Sequence, residues 1–387
     1  MWQMKELDCS GLFPESEFRR VAFSPVIKVV SGGCNLRCLY CFYSGHQPDI
    51  KSMSLDTVGV VMKRFLDFSP KVTFYWHGGE PLLAGKSFYK EVLEIQGEIV
   101  KPGQVINNCI QTNATLIDEE WADLFRKGNF RVGLSIDGPQ NIHDQIRVNA
   151  AGRGSFNEVQ RGIKILREKN INFGAIVVMN SLSLGKEEDI FDFMYRNKIQ
   201  FSVNPCSARP SDPGELKRLE ISPMEYANSL LKFFDLWVQT DDPNFRIRPL
   251  DDIVKGLMGG YPSFCKFRGE CYKFITIDYN GDVYPCDEFL NGSFILGNIV
   301  SQSLDTLLSG SAFVNYYSGR ARALSDCLSN GCEWLDICKS GCMREWSGLK
   351  EITSIQEMPF CQAHKYLFYN ISSRLESLGY KIIGERR

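Results

Sequence analysis

The chain has 387 residues, with 44 Lys plus Arg against 46 Asp plus Glu and a formal net charge of −2. Hydrophobic residues make up 44%, aromatic 12% and charged 23%, which excludes a disordered or collagen-like chain and leaves two domains or one large one. The near-neutral charge gives no electrostatic ground for nucleic acid or an acidic membrane as a partner, and no apolar run reaches the ~18 residues that a membrane helix needs.

The N-terminus, Met-Trp-Gln-Met-Lys-Glu, lacks a basic segment followed by an apolar core, so no signal peptide is read and a cytoplasmic location is expected. Residues 1–24 form an N-terminal extension, too short for a separate peptide-recognition domain upstream. From residue 25 to 205 a pattern repeats. Beta-rich runs cover 25–30, 72–76, 105–112, 131–137, 173–179 and 200–205. Between them lie helical patterns at 55–68, 88–100, 118–127, 156–169 and 187–197, with apolar residues at helical spacing such as Val159, Ile163 and Leu166. Asp118 and Ser155 are the expected N-caps. Strands alternating with helices imply right-handed βαβ units and a parallel sheet. Six units are too few for an eight-fold barrel, so the fold expected over 25–240 is a partial, open (β/α)6 barrel.

Residues 207–220 are polar, contain Pro210 and Pro213, and read as a loop. A helix is expected over 223–238. Beyond about 240 the character changes. Residues 274–278 and 283–285 flank Asn280-Gly281 and read as a hairpin with a type I′ turn. Residues 241–387 are therefore expected to form a second, Cys-rich domain with this hairpin and short helices.

The chain holds 14 cysteines. That is far below the ~8–10% of a disulfide scaffold, yet crowded for a reducing compartment, and metal or cluster ligation is the natural use. Cys34, Cys38 and Cys41 form C-x3-C-x2-C directly after the first β-run, at the end where parallel barrels build active sites. Structural zinc uses four ligands, and no fourth Cys is near. A zinc knuckle would have to borrow a residue such as His46. An iron–sulfur cluster on three thiolates leaves one iron open to a small molecule. Eight more cysteines follow: Cys265, Cys271, Cys286, Cys327, Cys332, Cys338, Cys342 and Cys361. Spacing alone admits two zinc sites or two four-iron clusters. Cys109, in a β-run, reads as a core residue, and Cys206 as a packing residue near the pocket mouth, while Cys9 is unassigned. Glycines at a strand end, as in Gly78-Gly79-Glu80-Pro81, permit close backbone approach to a ligand.

The segment Gly-Gly-Cys-Asn-Leu-Arg-Cys-Leu-Tyr-Cys-Phe-Tyr resembles the radical S-adenosylmethionine (SAM) superfamily. The resemblance implies a cluster on Cys34, Cys38 and Cys41 that binds SAM. It further implies SAM contacts from Gly78, Gly79 and Glu80 for the amino group, from Ser135 and Arg147 for the ribose and carboxylate, and a cofactor contact from Asn113. His77, beside the Gly-Gly-Glu turn, is a candidate substrate contact. The later cysteines resemble the SPASM extension of that superfamily. The resemblance implies one auxiliary [4Fe-4S] cluster on Cys265, Cys271, Cys286 and Cys342, and a second on Cys327, Cys332, Cys338 and Cys361. With the first, this makes three clusters. The x4 gap between Cys327 and Cys332 departs from the commoner x2.

Tyr284-Pro285-Cys286-Asp287 and Cys41-Phe42-Tyr43 are similar to the anaerobic sulfatase-maturating enzymes, which oxidise a Cys or Ser to formylglycine. There an Asp at the position of Asp287 is the proposed base, and the resemblance implies that role for Asp287. Trp76-His77-Gly78-Gly79-Glu80-Pro81-Leu82-Leu83 looks more like maturases that crosslink side chains in ribosomal precursor peptides. The expected function is thus a radical SAM maturase that abstracts a Cβ hydrogen from a peptide or protein, with a reductant such as flavodoxin or ferredoxin as further partner. The alternative is a non-catalytic iron–sulfur electron carrier or a zinc-binding interaction module.

Overall fold

Strand β1 (Val26–Lys28) opens the computed structural model, which describes residues 22–43, 51–208, 212, 214–290, 292–346 and 354–383. Cys9, His46 and nearly all of the N-terminal extension lie outside the described residues. Parallel strands follow in order: β2 (Lys71–His77), β3 (Val105–Thr112), β4 (Phe130–Ser135), β5 (Phe173–Met179), β6 (Phe201–Pro205) and the short β7 (Ile247–Arg248). Each pairs in parallel with the one before it. On its other side β1 pairs, also in parallel, with β8 (Thr276–Asp278). Antiparallel β9 (Asp282–Tyr284) and β10 (Gly297–Asn298) complete a ten-stranded sheet. The ends, β7 and β10, do not meet, so the barrel is open.

The crossovers are helices α1 (Leu55–Phe68), α2 (Lys86–Ile99), α3 (Glu119–Lys127), α4 (Phe156–Glu168) and α5 (Glu187–Arg196). They cover one face of the sheet. In β2 the residues under them, Val72, Phe74 and Trp76, are buried, while Thr73 and His77 are half-buried and Tyr75 is exposed. Alternation of this kind gives a dry outer layer and an accessible interior. Within the outer layer Trp76 Nε1 and Gln96 Nε2 both donate to Asn108 Oδ1, at 2.9 and 3.0 Å, which satisfies a buried amide. After α6 (Pro223–Thr240), capped by a Ser222–Glu225 box, the rest of the chain folds back. Its last helix, α9 (Pro359–Ser377), packs along α6, with Arg374 Nε 2.6 Å from Asp235 Oδ1. Helices α7 (Leu250–Leu257) and α8 (Ser311–Ser329) lie between.

Three local expectations are corrected. Asp118 caps α3 by accepting from Trp121 N at 2.9 Å, but Ser155 caps nothing with its side chain. Its hydroxyl donates to Arg147 O at 2.8 Å and meets His143 Nε2 at 3.0 Å, and Asp144 Oδ1 accepts the Phe156 N–H in its place. The stretch 207–220 is not all loop: Gly214–Leu219 is helical because Leu216 and Leu219 bury against Ile146 and Cys206. The β8–β9 turn is not type I′, since Asn280 has no positive φ. Gly281 N donates to Asp278 O at 2.9 Å and Gly281 takes φ 87°, a three-residue type I turn with a G1 bulge.

Candidate active site

Past β1 the chain turns through Ser31 (φ 49°) into the loop that carries Cys34, Cys38 and Cys41. The end of β2 holds this loop backbone to backbone. Gly79 N donates to Ser31 O and Glu80 N to Gly33 O, both at 2.7 Å. A Cβ on Gly79 would stand 1.9 Å from Gly33 O, and one on Gly78 2.6 Å from Ser31 O. The double glycine is thus required by the docking of two main chains. Glu80 is fully buried. Its Oε1 accepts from Leu82 N (3.0 Å) and Thr112 Oγ1 (2.8 Å), and its Oε2 from Asn113 N (2.7 Å). Burial pushes its carboxyl up to about 7, the three donors working the other way.

The ends of β3 and β4 grip the same loop. Asn113 Nδ2 donates to Asn35 Oδ1 at 2.8 Å and lies 3.7 Å from Cys34 Sγ, while its Oδ1 accepts from Thr115 N and Thr115 Oγ1. Tyr40 OH donates to Asp137 Oδ2 at 2.6 Å. Arg147 is buried against Asp137, with Nε to Oδ2 at 2.8 Å and Nη2 to Oδ1 at 3.4 Å, and its guanidinium lies 5.2 Å from the Tyr40 ring centroid. Ser135 Oγ accepts from Gln111 Nε2 at 3.0 Å, keeping its hydroxyl proton to donate. Gly78, Gly79 and Glu80 after β2, Asn113 after β3 and Ser135 at the end of β4 therefore share the C-terminal end of the sheet with the three cysteines, and Arg147 joins them through Asp137, where a parallel barrel offers its binding surface. Glu80, Asn113 and Arg147 are also scaffold, tied into the protein itself.

Burial pushes the Cys34 thiol up to about 12 and Cys38 to about 11, and raises Cys41 as well. Buried thiolates this unfavourable in a dry setting become reasonable on metal, whose charge replaces water.

On the far side of β1 the structure assembles a group that the sequence gives piecemeal. Lys28 is fully buried. Its ammonium contacts Tyr43 OH, Nδ1 of His77 at 3.2 Å and Oδ2 of Asp287 at 3.8 Å. Burial lowers the Lys28 pKa, and Asp287 leads the charges that oppose this. Burial alone would raise the Asp287 carboxyl, but Lys28 and then His77 hold it below its ordinary value. His77 is held down first by burial and then by Lys28. An ammonium at Nδ1 makes that nitrogen the acceptor, so the neutral ring carries its proton on Nε2. Cys286 Sγ lies 3.4 Å from Asp287 Oδ1.

The remaining cysteines gather in two groups. Burial raises Cys265, Cys342 and Cys286, and neighbouring thiols add to it: Cys271 acts on Cys265, both act on Cys342, and Cys342 acts on Cys286. Arg320, buried in α8, reaches Cys271 Sγ at 3.5 Å and bonds Lys339 O and Gly341 O. Cys327, Cys332, Cys338 and Cys361 together line one pocket with Trp334 and Met358. The x4 gap has a structural cause. Cys327 sits in the last turn of α8, which ends in a Schellman motif: Gly331 (φ 59°) donates to Leu328 O and Cys332 N to Cys327 O, each at 3.0 Å. That motif folds Cys332 back beside Cys327.

Sets of four soft thiolate ligands suit an iron–sulfur cluster. Among the described residues, no three His, Cys, Asp or Glu side chains converge on a point fit for a single metal ion. None of the described cysteines is disulfide-bonded. Cys109 and Cys206 are buried, Cys206 beside Ile146 and Leu216. Lys28, Tyr40, Tyr43, Asn35 and Arg320 were not singled out from sequence. Lys28 alone left a signal there, a charge inside an otherwise apolar run.

This fold and these cysteine sets define a radical SAM enzyme carrying a second iron–sulfur domain. Residues 29–194 match the Radical SAM superfamily, and residues 265–343 match SPASM, an iron–sulfur cluster-binding domain. The chain is 32% identical over 92% of its length to a cysteine-type anaerobic sulfatase-maturating enzyme of Clostridium novyi, covering 96% of that protein. It is 33% identical over 82% of its length to a serine-type anaerobic sulfatase-maturating enzyme of Bacteroides thetaiotaomicron, covering 81% of it. The solved structure described as native anSMEcpe with bound AdoMet and Cp18Cys peptide superposes with a TM-score of 0.83 at 27% identity, covering 92% of this chain and 99% of that one. The chain belongs to the family of the anaerobic sulfatase-maturating enzymes, peptide- and protein-modifying radical SAM maturases that use SAM and iron–sulfur clusters. Among the described residues no helix is long and apolar enough to cross a membrane.

Proposed function

We propose that the protein oxidises a Cys or Ser side chain of a sulfatase-type polypeptide at Cβ, giving formylglycine. The reading assigns Cys34, Cys38 and Cys41 to a SAM-binding [4Fe-4S] cluster in a barrel spanning 25–240. It assigns Cys265, Cys271, Cys286 and Cys342, and then Cys327, Cys332, Cys338 and Cys361, to two auxiliary clusters in 241–387. When bound, these groups supply one electron to SAM, yielding methionine and the 5′-deoxyadenosyl radical, and accept one electron afterwards. The protein's own residues do the rest. On this reading the Gly78-Gly79 turn serves the SAM amino group and the Ser135 hydroxyl its ribose, and Arg147, backed by Asp137, offers positive charge to its carboxylate. The radical left at Cβ must lose one electron and the thiol or hydroxyl proton to form a C=S or C=O double bond. Water then converts C=S to the aldehyde with release of sulfide.

The observation that carries this reading is the ionised Asp287 carboxylate beside Cys286, held by Lys28 at 3.8 Å. A base already ionised and next to an electron acceptor can take that proton. His77 Nε2–H is free to donate toward the peptide. The electron donor is a low-potential protein such as flavodoxin or ferredoxin, in an oxygen-protected cytosol, with neither nucleic acid nor a membrane involved. The test is Asp287→Asn with a Cys-containing sulfatase peptide. 5′-Deoxyadenosine should still form while aldehyde is lost. Unchanged aldehyde yield removes Asp287 as the base. A stable product that keeps its sulfur, lacks two hydrogens and yields no aldehyde in water would instead mark a side-chain crosslink in a precursor peptide.

A further inference from the structure

We propose that His364 is a positioning and potential-setting residue for the second auxiliary cluster, donating a hydrogen bond from Nδ1 to the sulfur of Cys338. The inference rests on the reading that Cys327, Cys332, Cys338 and Cys361 hold a cluster. That cluster fits the residues present: the four cysteines line a single pocket, with Trp334, Met358, Phe360 and Phe368 among its walls and Glu345 and Lys365 also lining it.

His364 stands one turn beyond Cys361 on α9 and is buried. Its Nδ1 lies 3.7 Å from Cys338 Sγ, within hydrogen-bond reach of sulfur. Its Nε2 lies 3.8 Å from Glu345 Oε1, beyond hydrogen-bond reach. The Glu345 carboxylate is already engaged, by the Lys266 ammonium at Oε1 and by Cys342 N–H at Oε2, 3.1 Å away. An imidazole carries at least one ring proton, on Nδ1 or on Nε2. A sulfur that carries negative charge on metal would repel the Nδ1 lone pair, so the proton belongs on Nδ1. The ring plane is fixed by Phe368, stacked at 5.8 Å and 24°, and by Phe267, edge-on at 5.9 Å. A donor locked in an aromatic, dry wall acts on the sulfur at low dielectric.

A hydrogen bond to a ligand sulfur stabilises the more negative, reduced form of a cluster and raises its potential. Glu345 makes the arrangement specific to the pairing of the two sites. The one carboxylate caps the backbone of Cys342, in the first set, and through Lys266 keeps its charge from competing for the His364 proton. Arg320 plays the matching part at Cys271 in the first set, so the two clusters have independent donors and can be told apart.

The experiment is potentiometric EPR on the anaerobically reconstituted full chain, comparing the parent with His364→Phe and His364→Gln. Phe keeps the aromatic stacking and lacks the donor, while Gln keeps an N–H. The reduction equilibrium of the second cluster should weaken about tenfold in His364→Phe, a fall of about 59 mV for one electron. It should recover at least in part in His364→Gln, and the first auxiliary cluster should not move. An unmoved midpoint at full iron content, or equal shifts in both clusters, overturns the inference. A second measurement uses the unmutated protein. Selective 15N-histidine labelling should change the nitrogen modulation on the reduced second cluster in pulsed EPR, and no change overturns the inference. The four histidines of the chain are His46, His77, His143 and His364, and His77→Gln and His143→Gln should leave that modulation intact. Absence of iron and sulfide at the second site would instead refute the cluster reading on which the inference stands.

Discussion

Replacing Gly79 with alanine tests whether the double glycine serves to dock the cysteine loop. The added Cβ would lie 1.9 Å from Gly33 O, where contacts below 3.0 Å essentially never occur. The turn and the loop must therefore part by about an ångström. That separation breaks the Gly79 N–Ser31 O and Glu80 N–Gly33 O bonds, both 2.7 Å. At about 0.5–1.5 kcal/mol net for each bond, and more where a buried donor is left unpaired, the local cost is about 2–4 kcal/mol. That corresponds to about a 30- to 1,000-fold lower population of the docked loop. The assay is iron and sulfide content together with 5′-deoxyadenosine formation under dithionite. Gly79→Ala should lose SAM cleavage by that order and shed the iron of the first cluster while keeping the auxiliary iron. Gly59, within α1, has nothing within 4 Å of an added Cβ. Gly59→Ala should therefore retain full activity and gain about 1 kcal/mol of helix stability. A Gly79→Ala protein with full iron and full SAM cleavage would refute the docking argument.

Other consequences are as direct. Glu80→Gln must set its NH2 against either Asn113 N–H or the Leu82 N–H. It should lower stability by about 1–3 kcal/mol in urea unfolding, and a neutral outcome would show that the carboxyl is normally protonated. Lys28→Met removes the ammonium that keeps Asp287 below its ordinary value, so aldehyde formation should fall and its acid limb move to higher pH, with 5′-deoxyadenosine still formed; an acid limb at the same pH counts against the pairing. His143 is fully buried, and burial lowers it to about 4. Its unfolded value is near 6.5, so below about pH 6.5 the unfolded chain binds more protons and stability falls as pH drops toward about 4. Urea midpoints at about pH 7 and about pH 5 should differ less in His143→Gln than in the parent.

Much of the barrel is legible because periodicity reports local geometry. Leu55–Phe68 and Phe173–Met179 match the expected elements, since each has a clean apolar repeat and a definite start. Ser155 misleads because a hydroxyl before a helix has more than one acceptor in reach, and the choice fell to His143 and Arg147. Residues 214–219 mislead because their two leucines find a partner only when Ile146 is folded beside them. Asn280-Gly281 misleads because the register of β8 on β9 leaves three loop residues, and that register follows from pairing β8 with β1.

By itself the sequence determines the ligand types, their spacing and the alternation that carries them to the strand ends, because these are properties of neighbours along the chain. Only the tertiary structure decides what each charged side chain is for. Arg147 and Asp137 are ten residues apart in a bidentate pair, while Lys28, His77 and Asp287 come from three separate parts of the chain. A buried charge takes its state from what faces it, and what faces Lys28 is fixed by β8 and β9 folding back beside β1.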